Sequence, residues 1–359
     1  MRPPRSIAVF CPNLVGDTVM ATPAFRAIRA GFPEARIAAV VRSHVAPTLG
    51  GGPWFDEIIP FAPKGKRPEE RTWAVVGRLR KHRPDLAVLF PNSLRSAWMA
   101  VATGARRRVG YARGGRSLLL TDRLTPLRGA DGKYIPTPIV DDYLGLARAV
   151  GCPGDGPRLE LFTTPDDEAA ADRAWGRLGL PRSRPVVCLN TGGAFGPAKS
   201  WPVEHFAAVA RRLVDERGLS VLVVCGPSER DAARAIVANA ERFAVTSLAD
   251  EPLGIGLTKA CVRRSALMIT TDSGPRHFGV GFDIPVLSLF GPTHIAWTLT
   301  HHGKSLHLHH PVPCGPCQRP ICVETHHRCL RDLAPDAVYR AATRMLDGIG
   351  LGVERTEAV

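Results

Sequence analysis

Three stretches of this chain place chemistry-bearing side chains directly after an apolar run. In FCPNLVGDTVMATPAFRAI (10–28) a strand-like segment meets a helical one at Gly16-Asp17. A glycine-bearing turn of this kind ordinarily offers backbone N–H groups to a phosphate, yet Asp17 would repel one. Two readings stand side by side. Asp17 suits the positive end of a helix as a cap, or it is a general base that takes a proton from an attacking hydroxyl. The second stretch, TGGAFGPAKSWP (191–202), follows VVCLN; its glycines let a ligand approach the backbone, and Lys199 can reach an anionic oxygen. It falls short of a phosphate-binding P-loop, because Ala198 stands where the second glycine belongs. A surface loop with a solvated lysine is the plain alternative. The third, DSGPRHFG (272–279), follows ALMITT. Asp272 or Ser273 can cap a helix whose N–H groups, uncovered at Gly274, hold a pyrophosphate, with His277 in the first turn. A helix start with Pro275 in its first turn explains the same residues without a ligand.

A fourth cluster is of another kind. CGPCQRPICVETHHRC brings Cys314, Cys317, Cys322 and Cys329 within 16 residues, with His326 and His327 between the last two. C-x2-C followed by two more thiols can make a tetrahedral structural zinc site. The spacing matches neither common ferredoxin pattern, and a reduced loop whose thiols bind nothing is the alternative. No catalytic role is expected of it. Cys11, Cys188, Cys225 and Cys261 lie in or beside apolar segments and read as buried free thiols. His301, His302, His307, His309 and His310 read as lining a surface loop and a strand.

The elements that must position these groups alternate. Strands are expected at 6–11, 35–41, 85–90 and 108–112 in the first half, and at 185–190, 220–226, 266–271 and 285–291 in the second. Helical spacing fills 17–31, 70–82, 202–217, 228–240, 255–264, 275–281 and 334–349, and a helix follows Pro165. Alternation of this sort predicts an α/β protein of two Rossmann-like, doubly wound domains facing across a cleft. The expected boundaries are 1–160, a linker helix at 161–182, a second domain at 183–349 whose last helix packs back on the first, and a tail at 350–359. In such sheets ligands sit beyond the carboxyl ends of the strands. Each candidate loop follows a strand, which makes the second domain the nucleotide side.

Composition narrows the company. The 359 residues are 45% hydrophobic and 22% charged, with a formal net charge of +14. Such a balance implies acidic partners. Aromatic residues are only 6% and no nucleic-acid-binding signature is present, so nucleic acid is not expected. The apolar runs are far shorter than the roughly 20 residues of a spanning helix, and MRPPRSIAVFC has no apolar signal core. A cytoplasmic protein is expected.

NLVGDTVMATPAFRAIRAGFP, TGGAFGPAKSWP and TTDSGPRHFGVGFDIPVLSLFGPT, in this order and spacing, resemble the ADP-heptose:lipopolysaccharide heptosyltransferase family, which has the GT-B fold. Within it, AFGPAKSWP is more similar to the second heptosyltransferase than to the first. The resemblance implies inverting transfer of heptose from ADP-heptose to the inner core of lipopolysaccharide. It makes Asp17 the base, Lys199 a donor-phosphate ligand, and Asp272, Ser273, Gly274 and His277 the pyrophosphate site. Glu229 resembles a family acid that contacts the donor nucleoside. Catalysis needs no metal in this reading. For the acceptor, Asn92, Ser93 and Arg95 follow a first-domain strand, and GARRRVGYARGGR (104–116) offers Arg106, Arg107 and Arg108 to anionic groups. The net charge fits peripheral attachment to the anionic inner face of the cytoplasmic membrane. Two alternatives stay open: a related GT-B glycosyltransferase with another nucleotide sugar or glycan acceptor, and a non-catalytic homologue that binds the same ligands.

Overall fold

The computed structural model describes residues 3–193, 195–349 and 351–359. They form two compact units, the first reaching Leu161 and taking in 296–298, the second holding the other described residues. The first contains β1 (Ser6–Phe10), α1 (Val15–Met20), α2 (Thr22–Gly31), β2 (Arg36–Arg42), β3 (Glu57–Phe61), α3 (Thr72–Lys81), β4 (Leu86–Leu89), α4 (Leu94–Ala102), β5 (Arg107–Tyr111), β6 (Asp122–Leu124) and α5 (Ile139–Ala149). Its strands pair in parallel in the order β3-β2-β1-β4-β5-β6. The strand order reverses between β1 and β4, which opens a crevice at their carboxyl ends.

The second unit begins with α6 (Pro165–Arg177) and β7 (Val186–Asn190), then runs through α7 (Val203–Arg217), β8 (Ser220–Val224), α8 (Arg230–Ala240), β9 (Val245–Ser247) and α9 (Ile255–Arg263). It continues with β10 (Leu267–Thr271), α10 (Arg276–Gly281), β11 (Val286–Phe290), β12 (Ser305–His309), α11 (Arg328–Arg331), α12 (Pro335–Leu346) and β13 (Arg355–Ala358). The parallel order β13-β12-β11-β10-β7-β8-β9 repeats that of the first sheet with one strand added. Here the reversal falls between β10 and β7, so the loops after those two strands open the crevice.

Local chemistry explains the elements. β7, β10 and β11 are buried along their whole length, as strands covered on both faces by helices must be. α6 starts on a capping box between Thr164 and Asp167, with Pro165 in its first turn. Gly218, at φ 62°, closes α7 in the left-handed region.

Four expectations change. The single helix at 17–31 is two, because a new helix starts at Thr22 with Pro23 in its first turn. α1 begins at Val15, so Gly16 and Asp17 lie inside its first turn rather than at the join. The linker helix belongs to the second unit: α6 packs on α9, where Glu168 pairs with Arg263 and Arg264. The last helix belongs to the second unit's own core, where Val338, Tyr339, Ala342 and Met345 of α12 are buried with residues of β7, β8 and α7.

Residues 350–359 are likewise more than a tail. β13 joins β12 as the outer strand, and Glu354 is its anchor. The Glu354 carboxylate accepts hydrogen bonds from the backbone N–H groups of Thr300 (3.0 Å) and His301 (2.7 Å) and from His307 Nε2 (2.9 Å). Burial works to raise its pKa, but His307, Arg276 and the Thr300 amide prevail and hold it at about 2. A carboxyl held below its unfolded value contributes stability above that value and loses it as pH falls toward the folded one. Glu354→Gln should therefore remove about 3 kcal/mol of the stability that disappears between pH 5 and pH 2, read as a flatter pH dependence in chemical denaturation.

Candidate active site

The second-unit crevice gathers the candidate residues. After β7, the 191–193 backbone passes so close to its neighbours that a Cβ on Gly193 would lie 3.0 Å from Ser273 Cβ, and one on Gly192 3.2 Å from Glu229 Cγ. Three loops, after β7, β8 and β10, thus meet without intervening side chains. Asn190, the last residue of β7, fastens two of them: its amide nitrogen shares two N–H donors among Ser273 Oγ (2.8 Å), Thr270 Oγ1 (3.0 Å) and the Gly192 carbonyl (3.1 Å).

The centre of the arrangement is an ion pair. Lys199 Nζ lies 2.5 Å from Asp272 Oδ2, and the two side chains are 13% and 5% exposed. Thr293, after β11, donates to the same oxygen at 2.7 Å, and Arg276 stands 3.8 Å from the other. Burial pushes the Asp272 carboxyl up, but the Lys199 and Arg276 charges, with hydrogen bonds from Lys199 and Thr293, hold it below its ordinary value. Asp272 is thus an ionised counter-charge rather than a helix cap, and the expected capping role is corrected: Pro275 is the N-cap of α10, and no side chain caps it. An ammonium has three N–H donors and Asp272 takes one. The Lys199 ammonium also lies 4.4 Å from the centre of the Phe195 ring.

Arg276 is fully buried over Phe290 and shared between Asp272 and Glu354, the latter 3.9 Å away. His277 is buried as well. Burial foremost, then the Arg276 charge, lowers its pKa to about 3, so its ring is neutral at any working pH. Glu229 folds back on its own turn, accepting from the Gly226 amide (2.7 Å) and the Ser228 hydroxyl (2.7 Å). Sequence reasoning passed over Asn190, Arg276 and Thr293. A polar residue closing the apolar strand VVCLN was the available signal for the first; the other two stand in stretches already quoted.

In the first unit, Asp17 is half-buried in the first turn of α1. The N-cap is Leu14, and no side chain caps the helix, so Asp17 occupies a position its charge favours without being the cap. Tyr143 of α5 is near it: burial raises the phenol's pKa, and the charges of Asp17 and Asp142 add to this. A cavity of about 280 Å³ at the carboxyl ends of β1, β2 and β4 is lined by Asn13, Arg42, Ser93 and Arg95 among apolar neighbours. Arg42 donates to Asn13 Oδ1 at 3.1 Å. Ser93 caps α4 through the Ser96 amide, and Asn92 is tied to the buried Arg116.

The expected acceptor role of the arginine run is corrected. Arg107 and Arg108 open β5 and so lie at its amino end, away from the crevice. Arg107 pairs with Asp122, and Arg108 is spent on the carbonyls of Leu119 and Ala105. Arg106, one residue earlier, is exposed. The four clustered cysteines line one small cavity of their own beside Ala198 and Gly291, with His326 and His327. Among the described residues no group of three or more His, Cys, Asp or Glu side chains is already arranged to hold a metal ion.

Two parallel doubly wound units, with charged loops at the strand-order reversal of the second, define an α/β enzyme of the GT-B glycosyltransferase fold. Residues 72–327 match the family described as glycosyltransferase family 9 (heptosyltransferase), and the chain belongs to it. It is similar to lipopolysaccharide heptosyltransferase 2 of Escherichia coli, 28% identical over an alignment of 361 positions that covers 95% of this chain and 98% of that one. The solved Escherichia coli ADP-heptose lps heptosyltransferase II superposes with a TM-score of 0.77 at 24% identity, covering 96% and 99% of the two chains. A glycosyltransferase family 9 structure from Veillonella parvula gives 0.83 at 20% identity, covering 97% and 99%.

The buried pair makes a signed prediction. Lys199→Met should cost about 3 kcal/mol at pH 7 by leaving Asp272 poorly compensated in the interior. Without Lys199 the desolvated carboxyl is expected above its unfolded pKa, so the native state binds the proton first and the deficit shrinks as pH falls toward 4. Denaturation midpoints at pH 7 and pH 4 read this, and Asp272→Asn in the same chain should restore most of the loss at pH 7.

Proposed function

We propose that this protein transfers heptose from ADP-heptose to the inner core of lipopolysaccharide with inversion at the anomeric carbon. Membership of the heptosyltransferase family and the names of its relatives support the substrates. The single observation that carries the reading for this chain is the convergence of Lys199, Ser273 and Gly274 around the ionised Asp272 at the crevice of the second sheet.

Lys199 and the backbone of Gly192, Gly193, Ser273 and Gly274 hold the donor diphosphate, while Glu229 contacts the nucleoside. The neutral His277 adds no charge and shapes the pocket wall. Asp17 accepts the proton of the acceptor hydroxyl as its oxygen bonds to the anomeric carbon, and the bond from that carbon to the phosphate oxygen breaks on the opposite face. The departing ADP takes the electron pair, and Lys199 stabilises its charge. This chemistry calls for no metal. Ser93 and Arg95, with Arg42, offer the cavity of the first unit to the anionic acceptor, with Asn92 beside them.

The enzyme then works at the cytoplasmic face of the inner membrane, where its +14 charge is drawn to anionic lipid. Among the described residues no helix is long and apolar enough to cross a membrane.

The test is transfer from ADP-heptose to a deep-truncated lipopolysaccharide. Asp17→Asn and Asp17→Ala should lower kcat by about 100-fold or more while ADP affinity, read by calorimetry, stays within twofold. Full activity in both variants would reduce Asp17 to a favourable charge in a helix turn. Wild-type transfer from other nucleotide sugars alone would keep the fold and change the donor.

A further inference from the structure

Five of the nine cysteines, Cys11, Cys152, Cys188, Cys225 and Cys261, are buried in the two units, and no two cysteines are joined by a disulfide. The other four behave differently. Cys314, Cys317, Cys322 and Cys329 all line one cavity of about 20 Å³, room for one water-sized occupant and far below the volume of a nucleotide. Cys329 is buried, and the other three are half-exposed. Gly291 packs closely beside Cys329: a Cβ there would lie 2.7 Å from Leu330 Cγ and 3.3 Å from Cys329 Sγ.

The neighbouring histidines already have hydrogen-bond partners on both sides of the cluster. His326 Nδ1 accepts from the Arg328 amide at 3.0 Å, which leaves the proton on Nε2, 3.9 Å from Cys314 Sγ. His327 Nε2 donates to the Ala198 carbonyl at 2.7 Å. The four thiols therefore make the natural ligand set, and four sulfurs suit a soft tetrahedral ion.

What this loop touches gives the cluster a purpose. The Ala198 amide donates to the Pro320 carbonyl (3.0 Å), and the Gln318 amide to the Pro292 carbonyl (2.8 Å). Gly196, at φ 141°, passes so near that a Cβ would lie 2.6 Å from the Pro320 oxygen. Residues 318–327 are thus stitched to Ala198 on one side and Pro292 on the other. Each of these is the immediate neighbour of a residue that grips Asp272: Lys199 and Thr293.

We propose that Cys314, Cys317, Cys322 and Cys329 bind one thiophilic metal ion, zinc or mononuclear iron, and that this ion fixes the two loops presenting Lys199 and Thr293. The four thiols are not already arranged around an ion, so binding requires them to close on the cavity they share, to bonds of about 2.3 Å. The metal acts through the loops and takes no part in the chemistry. The site itself stands on the geometry of the second unit; only its effect on ADP rests on the function proposed above.

Elemental analysis of the purified protein, from cells supplied with zinc and iron, should give one equivalent of either metal per chain. Replacement by cobalt should give the visible bands of a tetrahedral thiolate site. Cys317→Ser, at a half-exposed position, should lose the metal and retain the far-UV spectrum. Stripping the wild-type metal should raise amide exchange in 195–200 and 290–294 and weaken ADP binding about tenfold, both reversed by added Zn²⁺. Full-length chain with no bound metal after dialysis against Zn²⁺, or with a disulfide among the four, would overturn the site. Metal loss without change in exchange at those loops would overturn the coupling. Should the wild-type bind no ADP, the function proposed above fails while metal content and exchange still decide this inference.

Discussion

A carboxylate buried to the extent of Asp272 must be compensated, and this requirement organises the second unit. An isolated buried charge costs several kcal/mol even after relaxation, so a chain that keeps one must bring partners to it. The partners come from separate places: Lys199 from the loop after β7, Thr293 from the loop after β11, and Arg276 from α10. Satisfying one aspartate therefore fixes the mutual positions of three segments. Asn190 performs the neutral counterpart, tying the end of β7 to Thr270 and Ser273. Lys199 is held in a known place by a partner that uses only part of its donor capacity, which is the arrangement an anion site needs.

The two sheets place an acid near a crevice in two physically different ways. Asp272 is deeply buried and neutralised by neighbours, so its charge is a fixture of the protein. Asp17 is half-buried in the first turn of α1, at the helix end that favours negative charge. The first arrangement suits a residue that positions a cation, the second one that takes up a proton transiently.

Much of this was legible in the sequence for identifiable reasons. The buried parallel strands are short apolar runs with clear ends, and the candidate loops follow them, so the crevice of each sheet could be placed before the structure. Edge strands were harder. β3 carries Pro60 and is half-buried, β6 and β9 are only three residues long, and β13 reads as polar tail; their pairing depends on a neighbour already in place. Side-chain partners were the other blind spot. DSGP spells a helix cap, and only the fold shows that Lys199, 73 residues away, claims the carboxylate. The arginine run failed for a directional reason: charge density suggested a ligand, but two of its members open a parallel strand and so lie at the wrong end of the sheet.

The account stands on Lys199 and Asp272 working as one unit toward a bound diphosphate. A double-mutant cycle on ADP affinity, with Lys199→Met, Asp272→Asn and the combined variant, measures this most directly. The account predicts that each single change weakens binding by about tenfold or more and that the double is little worse than Lys199→Met alone, since the carboxylate matters only through the ammonium it holds. Losses that simply multiply, or single variants that bind ADP as the wild type does, would contradict it.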